Sequence, residues 1–176
     1  MERKIKGTRA LTVSAVLCAL GVILLALGSL LQVLDLTMAA LASILVIFAV
    51  IELGGKWPFL IYAVTALLAM LLVPYKTAAL VYLCFTGYYP IVKAFAEGRL
   101  SKLWGWVLKL LCFNAALALM LFLAFKFFTA FEITGMWYYL ALPACSVVFV
   151  VYDIALTRLI GVYVFKWRSR FRFLHK

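Results

Sequence analysis

The sequence predicts an all-α fold, a polytopic membrane bundle of six transmembrane helices. Hydrophobic residues make up 69% of the chain and charged residues only 13%, whereas a soluble domain of this size is nearer half apolar. Short polar turns separate six apolar runs at about 10–34, 36–53, 57–73, 78–95, 104–125 and 136–164. These lengths suit a hydrocarbon core of about 30 Å. We therefore expect a single transmembrane domain over residues 1–176, surrounded by the lipid bilayer.

The distribution of Lys and Arg predicts the orientation of the six spans. With six spans both termini lie on one side, and fifteen of the 17 Lys and Arg residues then lie on that side. The two on the other side are Lys76 and Lys126. Because cytoplasmic loops are enriched in Lys and Arg, we predict a multi-pass protein of the cell (plasma) membrane with both termini cytoplasmic. On this view the charge of +11 reflects topology, and no nucleic-acid partner is expected.

The first span follows a basic segment that contains Arg3, Lys4, Lys6 and Arg9. Such a start is typical of a signal sequence, but the apolar run continues to Leu34 and is too long for a cleaved signal core. An uncleaved signal anchor is the better interpretation. Within it, Ala15 and Ala19 are four residues apart, and small residues at this spacing let another helix approach closely. The alternative for this pair is ordinary packing inside the bundle.

Turn signals define the next two spans. Asp35 is a plausible N-cap for the second helix, and Gly54-Gly55-Lys56 forms the turn that follows it. Trp57-Pro58 opens the third span, because Pro suits a first helical position and Trp suits the membrane interface.

The fourth span carries the most unusual stretch of the chain, Gly87-Tyr88-Tyr89-Pro90. Pro90 has no N–H and strains the preceding turn. Gly87 leaves a gap in the side-chain surface. The stretch predicts a structural kink near the midplane, which forms either the floor beneath a pocket or a surface for a partner helix.

Two polar residues lie inside the last two spans. Asn114 falls near the middle of the fifth, where an amide should bond to another helix or contact a ligand. Asp153 lies well inside the sixth, and an ionisable group at that depth is normally paired. We expect an internal ion pair of Asp153 with Arg158 or Lys93; a proton or ion relay is the alternative.

The turns on the side opposite the termini predict a ligand site. An apolar pocket with a few convergent polar groups is typical of a small-molecule site, although aromatic residues there also suit an interface belt. The predicted ligand-binding residues are Gln32, Asp35, Lys76, Asn114, Glu132, Trp137 and Tyr138.

Enzyme and metal chemistry find little support in the sequence. There is no HExxH, no GxxxxGK[ST] and no Ser/His arrangement, and the only histidine is His175. The four cysteines share no CxxC spacing and lie in apolar runs, where cysteine behaves as a small hydrophobe. We predict a non-enzymatic protein without a metal or cofactor, which cannot itself hydrolyse ATP.

The layout resembles the substrate-binding S components of energy-coupling factor (ECF) transporters. The matching features are the basic start from Arg3 to Arg9, the Ala15-xxx-Ala19 motif, the tight turn at Asp35 and the basic tail from Lys166. The resemblance implies a protein that binds a vitamin or related micronutrient on its outer half and works with a transmembrane T component and two ABC ATPases. It also implies that Ala15 and Ala19 contact the T component.

An alternative function is a non-transport scaffold. Small six-span proteins such as the rod-shape-determining MreD family have a comparable layout and act by binding partners of the cell envelope. In that case the small-residue faces and the basic tail would serve assembly.

Overall fold

A computed structural model describes residues 7–31, 34–127 and 137–167. Within these ranges the chain is helical and contains no β-strand, so the predicted all-α class is confirmed. The helices are α1 (Thr8–Leu31), α2 (Asp35–Glu52), α3 (Trp57–Leu72), α4 (Thr77–Val81), α5 (Tyr89–Arg99), α6 (Lys102–Phe127) and α7 (Trp137–Val162). Two π-helical segments, Tyr82–Thr86 and Tyr163–Trp167, continue α4 and α7.

Five of the described helical stretches are long and apolar enough to cross a membrane. They are Thr8–Leu31, Asp35–Glu52, Lys76–Arg99, Leu103–Met120 and Cys145–Lys166. The remaining apolar helix, α3, has 16 residues, or about 24 Å at the helical rise. Helices of this length and composition are compatible with membrane insertion.

The chain forms two compact units, whose boundary lies inside α6 between Lys109 and Leu110. The first unit contains α1 to α5 and the start of α6. The second contains the rest of α6 and α7.

Small residues allow the helices of the first unit to pack closely. Its core cluster is rich in alanine, and it consists of Leu25, Ala39, Ala42, Val46, Ala66, Ala69, Val73, Ala78, Ala79 and Tyr82. A Cβ added at Gly21 would lie 2.8 Å from Cγ2 of Thr65, and one at Gly28 would lie 2.9 Å from Cβ of Met38. These close approaches bring α1 into van der Waals contact with α3 and α2.

The turn between α2 and α3 contains two residues with positive φ, Gly54 at 62° and Gly55 at 60°. Residues with a Cβ rarely adopt this conformation, so glycine suits both positions. At the other end of α2 the prediction that Asp35 is the N-cap is wrong by one residue. The cap position is Leu34, and Asp35 is the first helical residue. There its carboxylate suits the positive end of the helix dipole, and no side chain makes a capping hydrogen bond.

An aromatic pair packs inside the second unit. The rings of Phe113 on α6 and Phe149 on α7 are stacked, with centroids 4.6 Å apart and an interplanar angle of 15°. Both side chains are buried. Stacked aromatic contacts of this kind hold α6 and α7 together within the unit.

Candidate functional site

An open apolar groove runs between α1 and α3 in the first unit. It encloses a volume of about 440 Å³. Its lining residues are Leu11, Ser14, Ala15, Cys18, Ala19, Trp57, Leu60, Ile61, Val64 and Leu68. The two alanines that the sequence singled out, Ala15 and Ala19, therefore lie in one groove.

The position of Ala15 and Ala19 follows from the helical repeat of α1. Residues at the buried face, such as Ser14, Leu17 and Cys18, pack against the rest of the unit. Ala15 and Ala19 are one turn apart on the neighbouring strip, and both are exposed. They do not belong to the buried core of the first unit, which disfavours the alternative that they serve internal packing.

The polar groups beside the groove are hydrogen-bonded within the protein. The Ser14 hydroxyl donates to the carbonyl of Ala10 at 2.7 Å. The Cys18 thiol donates to the carbonyl of Ile61 at a sulfur–oxygen distance of 3.8 Å. The groove therefore offers an apolar surface, which suits the side of another helix or an acyl chain better than a polar ligand.

Two predicted ligand residues belong to the first unit: Asp35 at the start of α2 and Lys76 in the turn between α3 and α4. Lys76 does not extend an unengaged ammonium there, because its Nζ donates to the carbonyls of Met70 at 2.7 Å and Val73 at 2.6 Å. These carbonyls belong to the C-terminal end of α3, where a cation is favourable. The carboxylate of Asp35 has a different environment: its Oδ1 is buried without a hydrogen-bond partner. Asp35 thus remains the stronger ligand candidate of the two.

A hydrogen bond that the sequence analysis missed ties α1 to the same turn. The backbone N–H of Tyr75 donates to Oγ of Ser29 at 2.9 Å, and Ser29 is fully buried. A lone serine near the end of an apolar run gives no sequence signal for such a contact.

The other predicted ligand residues lie in the second unit or outside the described residues. Asn114 is exposed on α6, and its side-chain N–H donates to the carbonyl of Leu110 at 2.8 Å. The sequence favoured a bond to another helix; the amide instead satisfies a carbonyl one turn back in its own helix. Trp137 and Tyr138 are the first residues of α7, and their side chains lie outside the described part of the chain. Gln32 and Glu132 also fall outside the described residues.

The Gly87–Pro90 stretch follows directly after the first π-helical segment. The N–H of Gly87 donates to the carbonyl of Tyr82 at 2.9 Å. Tyr88 is the N-cap of α5, and Tyr89 and Pro90 open that helix. Tyr89 is fully buried, with its ring 5.2 Å from that of Phe85. The fourth predicted span is therefore two helices joined by a π-helical turn.

A cluster of charged side chains links α5 to the start of α6. Nζ of Lys93 lies 3.0 Å from Oε1 of Glu97, and Nζ of Lys109 lies 2.6 Å from the same oxygen. Both lysines are buried, whereas the side chain of Glu97 is 47% exposed. Sequence reasoning missed Glu97, although its spacing of four residues from Lys93 on one helix was an available signal.

Asp153 is buried on α7, in the second unit, and the hydroxyl of Thr157 donates to its backbone carbonyl at 2.8 Å. The pairing of its carboxylate with Arg158 or Lys93 stays a prediction. Among the described residues, no group of three His, Cys, Asp or Glu side chains lies together in a way that could hold a metal ion.

Comparison of the chain with protein-family models, with curated proteins and with solved structures gives no match.

Proposed function

We propose that the protein is an integral membrane subunit of the ECF S-component type, which captures a small micronutrient and docks against a helix of a transmembrane T component. The observation that carries the proposal is the α1–α3 groove, with Ala15 and Ala19 exposed along it. A subunit that works only with a membrane partner needs such a surface. Exposed small residues one turn apart supply it, because they let two backbones approach.

The proposed topology has six spans with both termini in the cytoplasm. It takes α3 as the sixth crossing helix, in addition to the five longer stretches. A helix of about 24 Å is a few ångströms short of an average hydrocarbon core. Local thinning of the bilayer and the flanking Lys56 and Trp57 can make up this difference. The excess of Lys and Arg on the terminal side supports the orientation.

The proposed ligand site lies near Asp35. Its Oδ1 is buried without a hydrogen-bond partner. A buried acceptor without a partner destabilises the folded protein, and a hydrogen-bond donor on a ligand would remove that cost. A vitamin-like molecule with an N–H or O–H group and a largely apolar body fits these requirements.

The experiment that tests the proposal is extraction of the native complex in a gentle detergent, followed by identification of the co-purifying proteins and of any retained small molecule by mass spectrometry. We expect a T component, ABC ATPases and a bound micronutrient. Recovery of cell-envelope synthesis proteins with no small molecule would contradict transport and favour the MreD-like scaffold.

A double variant tests the groove itself. Ala15→Leu combined with Ala19→Leu fills the strip along which a partner helix would approach, so we expect loss of the co-purifying membrane partner while the subunit stays folded. The matched control is Ala63→Leu combined with Ala94→Leu, which makes the same chemical change at two exposed alanines outside the groove. Equal recovery of the partner from both double variants would remove the groove from the proposal.

A further inference from the structure

The π-helical turn between α4 and α5 places two hydrogen-bond donors in competition for one carbonyl. In an α-helix the N–H of Gly87 would donate to Leu83, four residues back. Here it donates to Tyr82, five residues back, at 2.9 Å. The carbonyl of Leu83 instead accepts the hydroxyl of Tyr62 on α3, at 2.8 Å. The side chain of a neighbouring helix therefore occupies the acceptor that the α register would use.

Packing holds the Tyr62 ring over this turn. Its centroid lies 6.0 Å from that of Tyr82 and 6.2 Å from that of Tyr88. A Cβ added at Gly87 would lie 2.6 Å from Cδ2 of Tyr62. The ring can reach the Leu83 carbonyl because residue 87 has no side chain, so the glycine and the tyrosine form one contact.

A second interruption follows at Pro90, three residues after Gly87. Pro90 has no N–H to donate to the carbonyl of Thr86. The N–H groups of Ile91 and Val92 both donate to the carbonyl of Tyr88, at 3.0 and 3.2 Å. The hydrogen-bond ladder of α5 thus starts afresh at Tyr88, and the link between α4 and α5 depends on the π-helical turn.

We infer that Tyr82–Thr86 is a two-register hinge and that the Tyr62 hydroxyl is the latch that holds it in the π register. When the latch opens, the Leu83 carbonyl becomes available to the Gly87 N–H, and the turn closes to an α-helix. This change shortens the hydrogen-bonded turn by one residue, so the following helix rotates by about 100°. This inference concerns motion within the subunit and does not depend on the proposed function.

The rotation has a defined structural consequence for α5. Tyr89, Lys93 and Ala96 form its buried face, and each is 1% exposed or less. A rotation of about 100° turns this face away from its present neighbours and moves the Lys93–Glu97 pair with it. The hinge therefore couples one hydrogen bond from α3 to the orientation of a whole helix.

The test follows the Gly87 amide by NMR in lipid nanodiscs. Labelling with carbonyl-¹³C threonine and ¹⁵N glycine selects Thr–Gly peptides, of which the chain has two, Thr86–Gly87 and Thr134–Gly135. The Thr134→Ser variant removes the second signal and assigns the first. Deletion of Cys84, which takes one residue out of the turn, gives the resonance position of the α register.

Tyr62→Phe keeps the ring and removes only the latch hydroxyl. The net contribution of one hydrogen bond corresponds to a factor of roughly two to ten in an equilibrium constant, so we expect the population ratio of the two registers to change by that factor. The Gly87 resonance should then move toward its position in the Cys84 deletion. The control is Tyr75→Phe, at an exposed ring in the turn after α3, which should leave the resonance in place.

A Gly87 resonance that stays at the wild-type position in Tyr62→Phe overturns the inference. The wild-type protein supplies a second measurement, because exchange between two registers produces μs–ms relaxation dispersion at the Gly87 amide. If Tyr62→Phe does not fold, a flat dispersion profile in the wild-type protein overturns the inference equally.

Discussion

Substitution of Gly87 by alanine is the most direct test of the packing at the π-helical turn. The backbone of Gly87 has φ −73° and ψ −44°, a conformation that alanine adopts without strain. Any effect of the substitution must therefore come from the space that the new methyl group needs. A Cβ at this position would lie 2.6 and 2.8 Å from Cδ2 and Cε2 of Tyr62, and 2.7 Å from the carbonyl oxygen of Tyr82.

The magnitude follows from these distances. Carbon atoms pack at about 3.5 Å or more, so the contact with the Tyr62 ring is roughly 0.9 Å too short. The ring is held by its hydrogen bond to Leu83, and the Tyr82 carbonyl accepts the N–H of Gly87 itself. Overpacking against a ring and a carbonyl that are both held by hydrogen bonds costs about 3 kcal/mol. Alanine regains about 1 kcal/mol through its higher helix propensity, which leaves a net loss of about 2 kcal/mol.

The assay is unfolding of the purified protein in mixed detergent micelles, followed by circular dichroism as the denaturing detergent is titrated. Gly98→Ala is the matched control, because Gly98 lies on α5 and a Cβ there meets nothing within 4 Å. The control should be neutral or stabilised by up to about 1 kcal/mol. If Gly87→Ala is as stable as Gly98→Ala, the close contact between Tyr62 and residue 87 is not present in the protein.

Two further substitutions test contacts within the first unit. Glu97→Gln weakens the ion pairs with Lys93 and Lys109. Because Glu97 is half exposed, we expect a loss of about 1–2 kcal/mol in the same unfolding assay. The control, Arg99→Gln at an exposed position, should change stability little, and equal effects of the two substitutions would argue against the cluster. Ser29→Ala removes the buried acceptor of the Tyr75 N–H and should cost about 1 kcal/mol. The control is Thr12→Ala, because the Thr12 hydroxyl bonds within its own exposed helix face, and it should cost less than half of that. A Ser29→Ala protein as stable as Thr12→Ala would contradict the contact.

The positions of the helices were largely predictable, because the order of apolar and turn-forming residues along the chain sets them. Apolar runs bounded by charged or turn-forming residues predicted spans at 10–34, 36–53 and 57–73, and the helices occupy Thr8–Leu31, Asp35–Glu52 and Trp57–Leu72. The fourth span was predicted only in part. Gly87 and Pro90 indicated a kink, but the choice between α and π registers depends on a hydroxyl from α3, which no local pattern reports.

Some features of the candidate site could likewise be predicted from the sequence, whereas others could not. Ala15 and Ala19 could be picked out by spacing, yet the spacing is the same whether two alanines face the core or the surface. Their exposure follows from which strip of α1 the other helices cover. Lys76 illustrates the reverse case: its position in a polar turn suggested a ligand contact, and only the fold shows its ammonium on the carbonyls of Met70 and Val73.

An all-helical chain with helices suited to a membrane could therefore be predicted without the structure, because these properties add up residue by residue along the chain. Three features needed the packed structure: the groove beside Ala15 and Ala19, the contact of Lys109 with Glu97, and the register of the turn before Gly87. Each of these depends on a contact between segments distant in sequence or on the burial of a helix face. Such contacts arise only when the helices have packed, since an isolated helix of this composition has no preferred face.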